Sequence, residues 1–325
     1  MSIYRVDDYR SDALAAEQYD VGVFSSGYEP RCTFVPRQLR GRKIKNHVVL
    51  GFKELAAEKA RKENDAYYRD QWGAEPLAVS ADNDFAIQRA LNDVASRGGR
   101  LTRILVDYSS MSRLWYSGVL NWARFGNNAD ETTIDFAYSV GKYEEQDLPM
   151  EIEDMLSIPG CEGGPMRSRD SLAIFGLGFN PWASLSVLER LEADEVFAYI
   201  ASPGASPDYP HRVRRLNKDF LEEPRVKGNV FELPLRSAET SYRFLSELVI
   251  PHRLTDSITL VPMGPKPHVL ASILVSMRFP EVSCMRVSVK RKPEKIVPTG
   301  EVLAARVTVR GQARKRPGQS TSACT

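Results

Sequence analysis

The chain is poor in cysteine and histidine, with four of each among 325 residues. Cys32, Cys161, Cys284 and Cys324 show neither CxxC nor Cys/His ligand spacing, which argues against a structural zinc site and a disulfide scaffold. No two histidines stand in HxH or HxxxH spacing, so no histidine-built metal site is expected. No apolar run approaches the roughly 20 residues that span a bilayer. The polar opening MSIYRVDDYRSD does not read as a signal sequence. The expectation is a cytoplasmic protein without a membrane partner. Also missing are a P-loop GxxxxGK[ST], a GxSxG elbow, an HExxH helix and a Cys/His nucleophile pair, so no motif names a reaction.

A net charge of +2 hides an uneven distribution. Residues 285–325 carry ten Lys and Arg against Glu294 and Glu301, which makes that segment +8 and the remainder −6. A basic tail on an acidic body can contact nucleic acid or an acidic protein surface, or simply be solvated.

The chain also repeats itself. VGVFSSGYEPR (21–31) aligns with LAIFGLGFNPW (172–182): an apolar strand, a small residue, Gly, an aromatic, a polar residue and Pro. ILVDYSSMSRLWYSGVLNW (104–122) aligns with TLVPMGPKPHVLASILVSM (259–277), each a strand, a small-residue turn and an apolar helix. Further strands end at Tyr138-Ser139-Val140 and Val287-Ser288-Val289, and the three offsets are 151, 155 and 149 residues. Three matches in one order at nearly constant spacing indicate a duplication. Between them, strands are expected at 47–52, 76–79, 195–201 and 229–233, and helices at 54–70, 84–97, 210–220 and 237–249.

The fold expected is α/β: two pseudo-repeated Rossmann-like units with mostly parallel sheets, plus a basic C-terminal tail. The units would span 1–145 and 171–290, with 146–170 as linker or crossover. Within 291–325, residues 302–309 suit one more strand, and 312–325 suits disorder.

Open doubly wound sheets bind ligands beyond the carboxyl ends of their strands, where strand order reverses. For order 3-2-1-4-5 that point lies between the first and fourth strands, whose loops are the segments the repeat preserves best. In the first unit these loops offer Ser25, Ser26, Gly27, Glu29 and Arg31, then Asp107, Ser109, Ser110 and Arg113. Small residues admit a ligand to backbone N–H groups, arginines can clamp phosphate, and Asp107 can accept from a sugar hydroxyl. Ser109 can equally be a helix cap, and Asp107 a strand end. Glu29 and Asp107 are also candidates for a carboxylate pair. In the second unit the loops offer Gly176, Gly178 and Asn180, then Gly264, Lys266 and His268. GLGFNP keeps two glycines of a dinucleotide fingerprint but has Pro181 at the third, which argues against ordinary NAD binding. Asn180 with Trp182, and Tyr28 with Tyr108, can border a base or belong to the core. The run His211-Arg212-Val213-Arg214-Arg215 can be an anion-facing rim or a solvated helix face.

The small-residue loop after the first strand, together with the Gly264-Pro265-Lys266-Pro267 turn entering an apolar helix, resembles the CRISPR-associated Rossmann fold sensors. The fused pair of units resembles SAVED domains. In the first unit Ser110-Met111-Ser112 stands in the place of that turn. The resemblance implies a nucleotide-type ligand at the strand-one and strand-four loops, a role in prokaryotic defence or regulation, and a separate effector protein as partner. No cofactor is assigned beyond that nucleotide. The rival expectations are an enzyme acting on a nucleotide or phosphosugar, with Asp107, Glu29 or His268 as acid/base groups, and a non-catalytic scaffold subunit. One composite pocket shared by the halves suits their division of residue types better than two equal sites.

Overall fold

The apolar runs at the centre of each half form parallel strands covered by helices, as strands buried on both faces require. The computed structural model describes residues 3–39, 43–143, 152–164, 170–289 and 296–311. In chain order the strands are β1 (Ile3–Tyr9), β2 (Tyr19–Ser26), β3 (Ile44–Phe52), β4 (Leu77–Val79), β5 (Arg103–Asp107) and β6 (Glu131–Lys142). Then come β7 (Ile152–Glu162), β8 (Ser171–Gly176), β9 (Glu195–Ala201), β10 (Val230–Leu233), β11 (Ser257–Pro262), β12 (Ser283–Val289) and β13 (Val297–Arg310). The helices are α1 (Phe34–Gln38), α2 (Lys59–Trp72), α3 (Phe85–Gly98), α4 (Arg113–Asn121), α5 (Pro181–Leu191), α6 (Asp208–Leu216), α7 (Lys218–Glu222), α8 (Ala238–Val249) and α9 (Lys266–Arg278).

Two sheets result, of seven strands (β1-β13-β6-β5-β2-β3-β4) and six (β10-β9-β8-β11-β12-β7). Each contains the same parallel five-strand core, β6-β5-β2-β3-β4 in one and β12-β11-β8-β9-β10 in the other. In both units that is the order 3-2-1-4-5. The internal repeat of the sequence is therefore matched by a repeat of topology.

Each core is extended beyond its fifth strand, by β7 in one sheet and by β13 and β1 in the other. Residues 152–162, inside the segment expected as linker or crossover, form β7, an edge strand antiparallel to β12. Its side chains are exposed or half-exposed except Ile158 and Cys161, so clean alternation is missing, and Pro159 is tolerated because the strand is an edge. The strand expected at 302–309 is β13, which runs antiparallel between β1 and β6 of the first sheet. It buries Ala305, Val307 and Val309 on one face. Its Arg306 donates to Asp135 at 2.7 and 2.8 Å and to Glu17 at 2.8 Å. Arg286 is paired with Asp82 and Asp154. Part of the apparent basic tail is thus spent inside the fold; 312–325 lies outside the described residues.

The single helix expected at 210–220 is two, α6 and α7, because the buried Asn217 side chain turns inward. Its Nδ2 donates to Gly178 O and to Val213 O, both at 2.9 Å, and its Oδ1 accepts from Ser184 at 3.1 Å. Ser237 caps α8 by accepting from Thr240 N at 2.9 Å.

One apolar cluster runs through both units. Leu114–Asn121 of α4 and Pro267–Met277 of α9 are buried on every side, as expected of helices apolar all round. These are equivalent helices, each following the fourth core strand. α4 packs against β7 of the second sheet and α9 reaches β1 of the first. A polar seam supports the junction: Asp8 on β1 accepts from Ser237 and from Glu239 N (3.1 Å) at the start of α8.

Candidate functional site

The chain leaves β2 through Ser25 and Ser26, both buried, into Gly27. Two residues on, the Glu29 carboxylate accepts Nε and Nη2 of Arg31 at 2.9 and 2.8 Å, and Ser110 Oγ at 3.2 Å. Arg31 is 1% exposed, an unusual place for a guanidinium. Its Nη1 donates to Ser139 O at 3.2 Å and to Tyr138 OH at 3.4 Å. Burial works against its charge, but Glu29 and Tyr138 hold its pKa above the ordinary value. Gly141 makes the space, since a Cβ there would lie 2.8 Å from Arg31 Nη1.

Asp107 ends β5 beside this cluster, also buried. It accepts from Ser109 N at 3.1 Å and from Ser109 Oγ, which in turn accepts Ser139 N at 2.7 Å. Burial pushes the Asp107 carboxyl up to about 6, against the pull of the Ser109 bonds. Glu29 and Asp107 hold different partners rather than each other.

The second unit enters through Lys266. Its ammonium crosses to the loop after β5 and donates to the carbonyls of Tyr108 (3.2 Å), Ser109 (2.9 Å) and Met111 (2.7 Å). Three N–H groups meet three acceptors. Burial pushes this amine down to about 7, opposed by the Glu29 charge. Lys266 is the first residue of α9, and Arg113 is the first residue of α4. The Arg113 charge acts on Lys266 and, in the second unit, on Tyr199. Equivalent helix starts therefore each present a cation to the other unit.

The glycines of the second unit serve close packing. A Cβ on Gly178 would sit 2.4 Å from Met263 O, and one on Gly264 would sit 3.0 Å from Leu177 O. Gly176 lies under Tyr199, whose hydroxyl would be 2.5 Å from a Cβ. Asn180 caps α5, accepting from Ala183 N at 3.2 Å, while its Nδ2 is buried without a partner. His268 sits apart from the network, buried, with Nε2 3.3 Å from Pro234 O. Burial pushes its imidazole down to about 4, so it is neutral at physiological pH. Trp182 is exposed, whereas Tyr108 packs among Tyr116, Phe136 and Tyr138.

The structure thus joins buried Glu29, Arg31, Asp107, Ser109 and Ser110 with half-buried Lys266 in one polar centre, with Arg113 adjacent. Gly176, Gly178, Gly264, Asn180 and His268 build the wall of the second unit. Sequence reasoning missed the contribution of α2. Arg61, Asn64, Asp65 and Tyr68 stand at i, i+3, i+4 and i+7, one helical face. Asp65 accepts from Ser26 Oγ (2.6 Å) and Arg61 Nε (2.9 Å). Asn64 donates to Gly27 O (2.8 Å) and Glu29 O (3.1 Å), and Tyr68 OH donates to Cys32 O (2.6 Å). That spacing was the available signal, hidden because the face is polar.

Among the described residues no group of three His, Cys, Asp or Glu is placed to hold a metal ion, and no helix is long and apolar enough to cross a membrane. No protein-family model matches the chain, and neither a curated protein nor a solved structure does.

Proposed function

We propose that this protein is a nucleotide-binding sensing module of a prokaryotic defence or regulatory system that acts with a separate effector protein. The observation that carries this reading is the Lys266 ammonium, which leaves its own unit to hold three carbonyls of the loop after β5. A fold that needed only stability gains little here. Burying an ion costs roughly several kcal/mol before its partners repay it, and apolar replacements are often as stable. Groups with pKa values moved toward neutrality cluster at functional sites more than elsewhere. A nucleotide phosphate arriving at the half-buried rim of Gly178, Gly264 and Lys266 would compete for the ammonium. It would thereby loosen or reset the contact between units, which is how a ligand becomes a signal.

Native mass spectrometry of freshly purified protein, paired with thermal unfolding against a nucleotide panel, tests this. The expected result is a co-purifying nucleotide, or a rise of about several degrees with a micromolar ligand in excess, lost in Lys266→Met. The absence of both a bound species and a shift with any nucleotide would overturn it. An enzymatic reading is favoured by one observation, the Asp107 carboxyl raised to about 6, near the range useful to a general acid or base. It requires nucleotide turnover that Asp107→Asn abolishes while binding persists.

A further inference from the structure

Beyond the polar centre, a cavity of about 490 Å³ opens at the carboxyl ends of β9 and β10. Its lining includes the largely apolar stretch Pro203, Gly204, Ala205 and Pro207, together with Pro210. Its polar lining is His211 and Arg214 from α6, Arg236 from the loop before α8, Glu232 from β10 and Ser202. Two fixed cations and a histidine thus face one carboxylate. The spacing of His211 and Arg214, three apart on α6, turns both to the cavity, while Val213 is buried in the core and Arg212 lies over the Phe179 ring, 4.6 Å from its centroid.

We propose that this cavity binds a phosphomonoester carried on a polyol, such as a sugar phosphate or a nucleoside monophosphate. The phosphate is held by Arg214, His211 and Arg236, and Glu232 accepts from a sugar hydroxyl. This site is separate from the Lys266 centre and does not depend on the function assigned to it.

Four features carry the assignment. The volume lies within the roughly 300–1,000 Å³ usual for small-ligand pockets. Its position is at the carboxyl ends of parallel strands, the end at which this architecture binds ligands, beside the point where strand order reverses. Both arginines are parked on carboxylates: Arg214 on Glu232 at 2.6 Å, and Arg236 on Glu301 at 2.6 and 2.8 Å. These pairs are substantially exposed, 41%/50% and 46%/36%, so exchanging a carboxylate for a phosphate costs little. Finally, the walls are already fixed. Ser202 N donates to Leu233 O and Leu235 N to Pro203 O, and Arg236 Nη1 donates to Gly204 O, so a ligand need not order the loops. Pro207 and Pro210 remove N–H donors from the start of α6, which leaves the cations rather than the backbone to bind the anion. The bond from Arg214 holds Glu232 below the usual carboxylate range, so it is ionised and accepts only.

Because Glu301 lies on β13 of the first sheet, a phosphate that draws Arg236 inward removes an ion pair between the units. Glu301 and the ligand compete for one guanidinium. Removing the competitor should therefore tighten binding.

Isothermal titration of the full chain at low salt, with ribose 5-phosphate, AMP, inorganic phosphate and ribose as probes, is the test. The expected result is that ribose 5-phosphate or AMP binds more tightly than inorganic phosphate, and that ribose gives no heat. Whichever of the first two is tighter tells whether a base occupies the proline wall. Arg214→Ala and Arg236→Ala should each weaken binding by about tenfold or more, and Glu301→Gln should tighten it by about threefold. Glu232→Gln should erase the preference for the sugar over inorganic phosphate. Both arginines are half-exposed, and unchanged thermal unfolding without ligand verifies that their variants fold. Lys266→Met should leave ribose 5-phosphate binding intact. No heat with any phosphorylated probe overturns the proposal. So does unchanged affinity in both arginine variants, or ribose 5-phosphate binding lost in Lys266→Met alone, which would place the ligand at the polar centre.

Discussion

At the scale of single residues, burial sets two charges of opposite sign close to neutrality. Asp107 is raised from 3.8 to about 6 and Lys266 lowered from 10.5 to about 7. Between about pH 4 and 6 the folded chain keeps an Asp107 proton that the unfolded chain has lost, so this group's contribution to stability falls as pH rises. Lys266 acts in the other direction. Above about pH 7 the unfolded chain binds a proton that the folded chain has shed, and stability rises with pH toward 10. Together the pair contributes least between pH 6 and 7. Asp107→Asn removes the carboxyl's share, at most about 3 kcal/mol. Urea unfolding should show the variant gaining on the parent progressively from pH 4 to 7; a difference that stays flat across that range contradicts the assignment. The residues of this centre were legible from the chain where they follow a strand into a small-residue loop: Glu29, Arg31, Asp107, Ser109, Lys266. Arg61, Asn64 and Asp65 were not, because a polar helix face reads as solvated until something polar is found beneath it.

At the scale of elements, the repeated five-strand core was readable because apolar runs and turn residues recur in one order. Of the strands added to it, β13 was legible at 302–309, while β1 and β7 were not. β7 is an edge strand with half-exposed side chains, and β13 pairs with β6, so neither belongs to the repeat. What the chain could not show for β13 was its partner, since β6 lies more than 150 residues away. β13 is nevertheless central to its sheet, since among the described residues it alone joins β1 to the rest. A chain ending at Gly311 keeps every described strand and should unfold cooperatively. One ending at residue 290 exposes the β6 edge and strands β1, and should lose its cooperative transition by circular dichroism. Equal midpoints for the two truncations would contradict this placement.

At the scale of the whole molecule, duplication has produced two units that depend on each other. Their fourth-strand helices, α4 and α9, are apolar on every face and are covered only when the units pack together. At the same junction the cationic first residues of these helices, Arg113 and Lys266, face the opposite unit. The asymmetry visible in the chain, acid and hydroxyls in one half and a Lys-Pro turn in the other, is therefore the asymmetry of one shared centre. Hydrogen–deuterium exchange on Lys266→Met tests that centre most directly. The account predicts faster exchange across 107–113 of the first unit as well as at the start of α9, with β9 and β10 unchanged. Faster exchange confined to the second unit, with 107–113 as protected as in the parent, would contradict it.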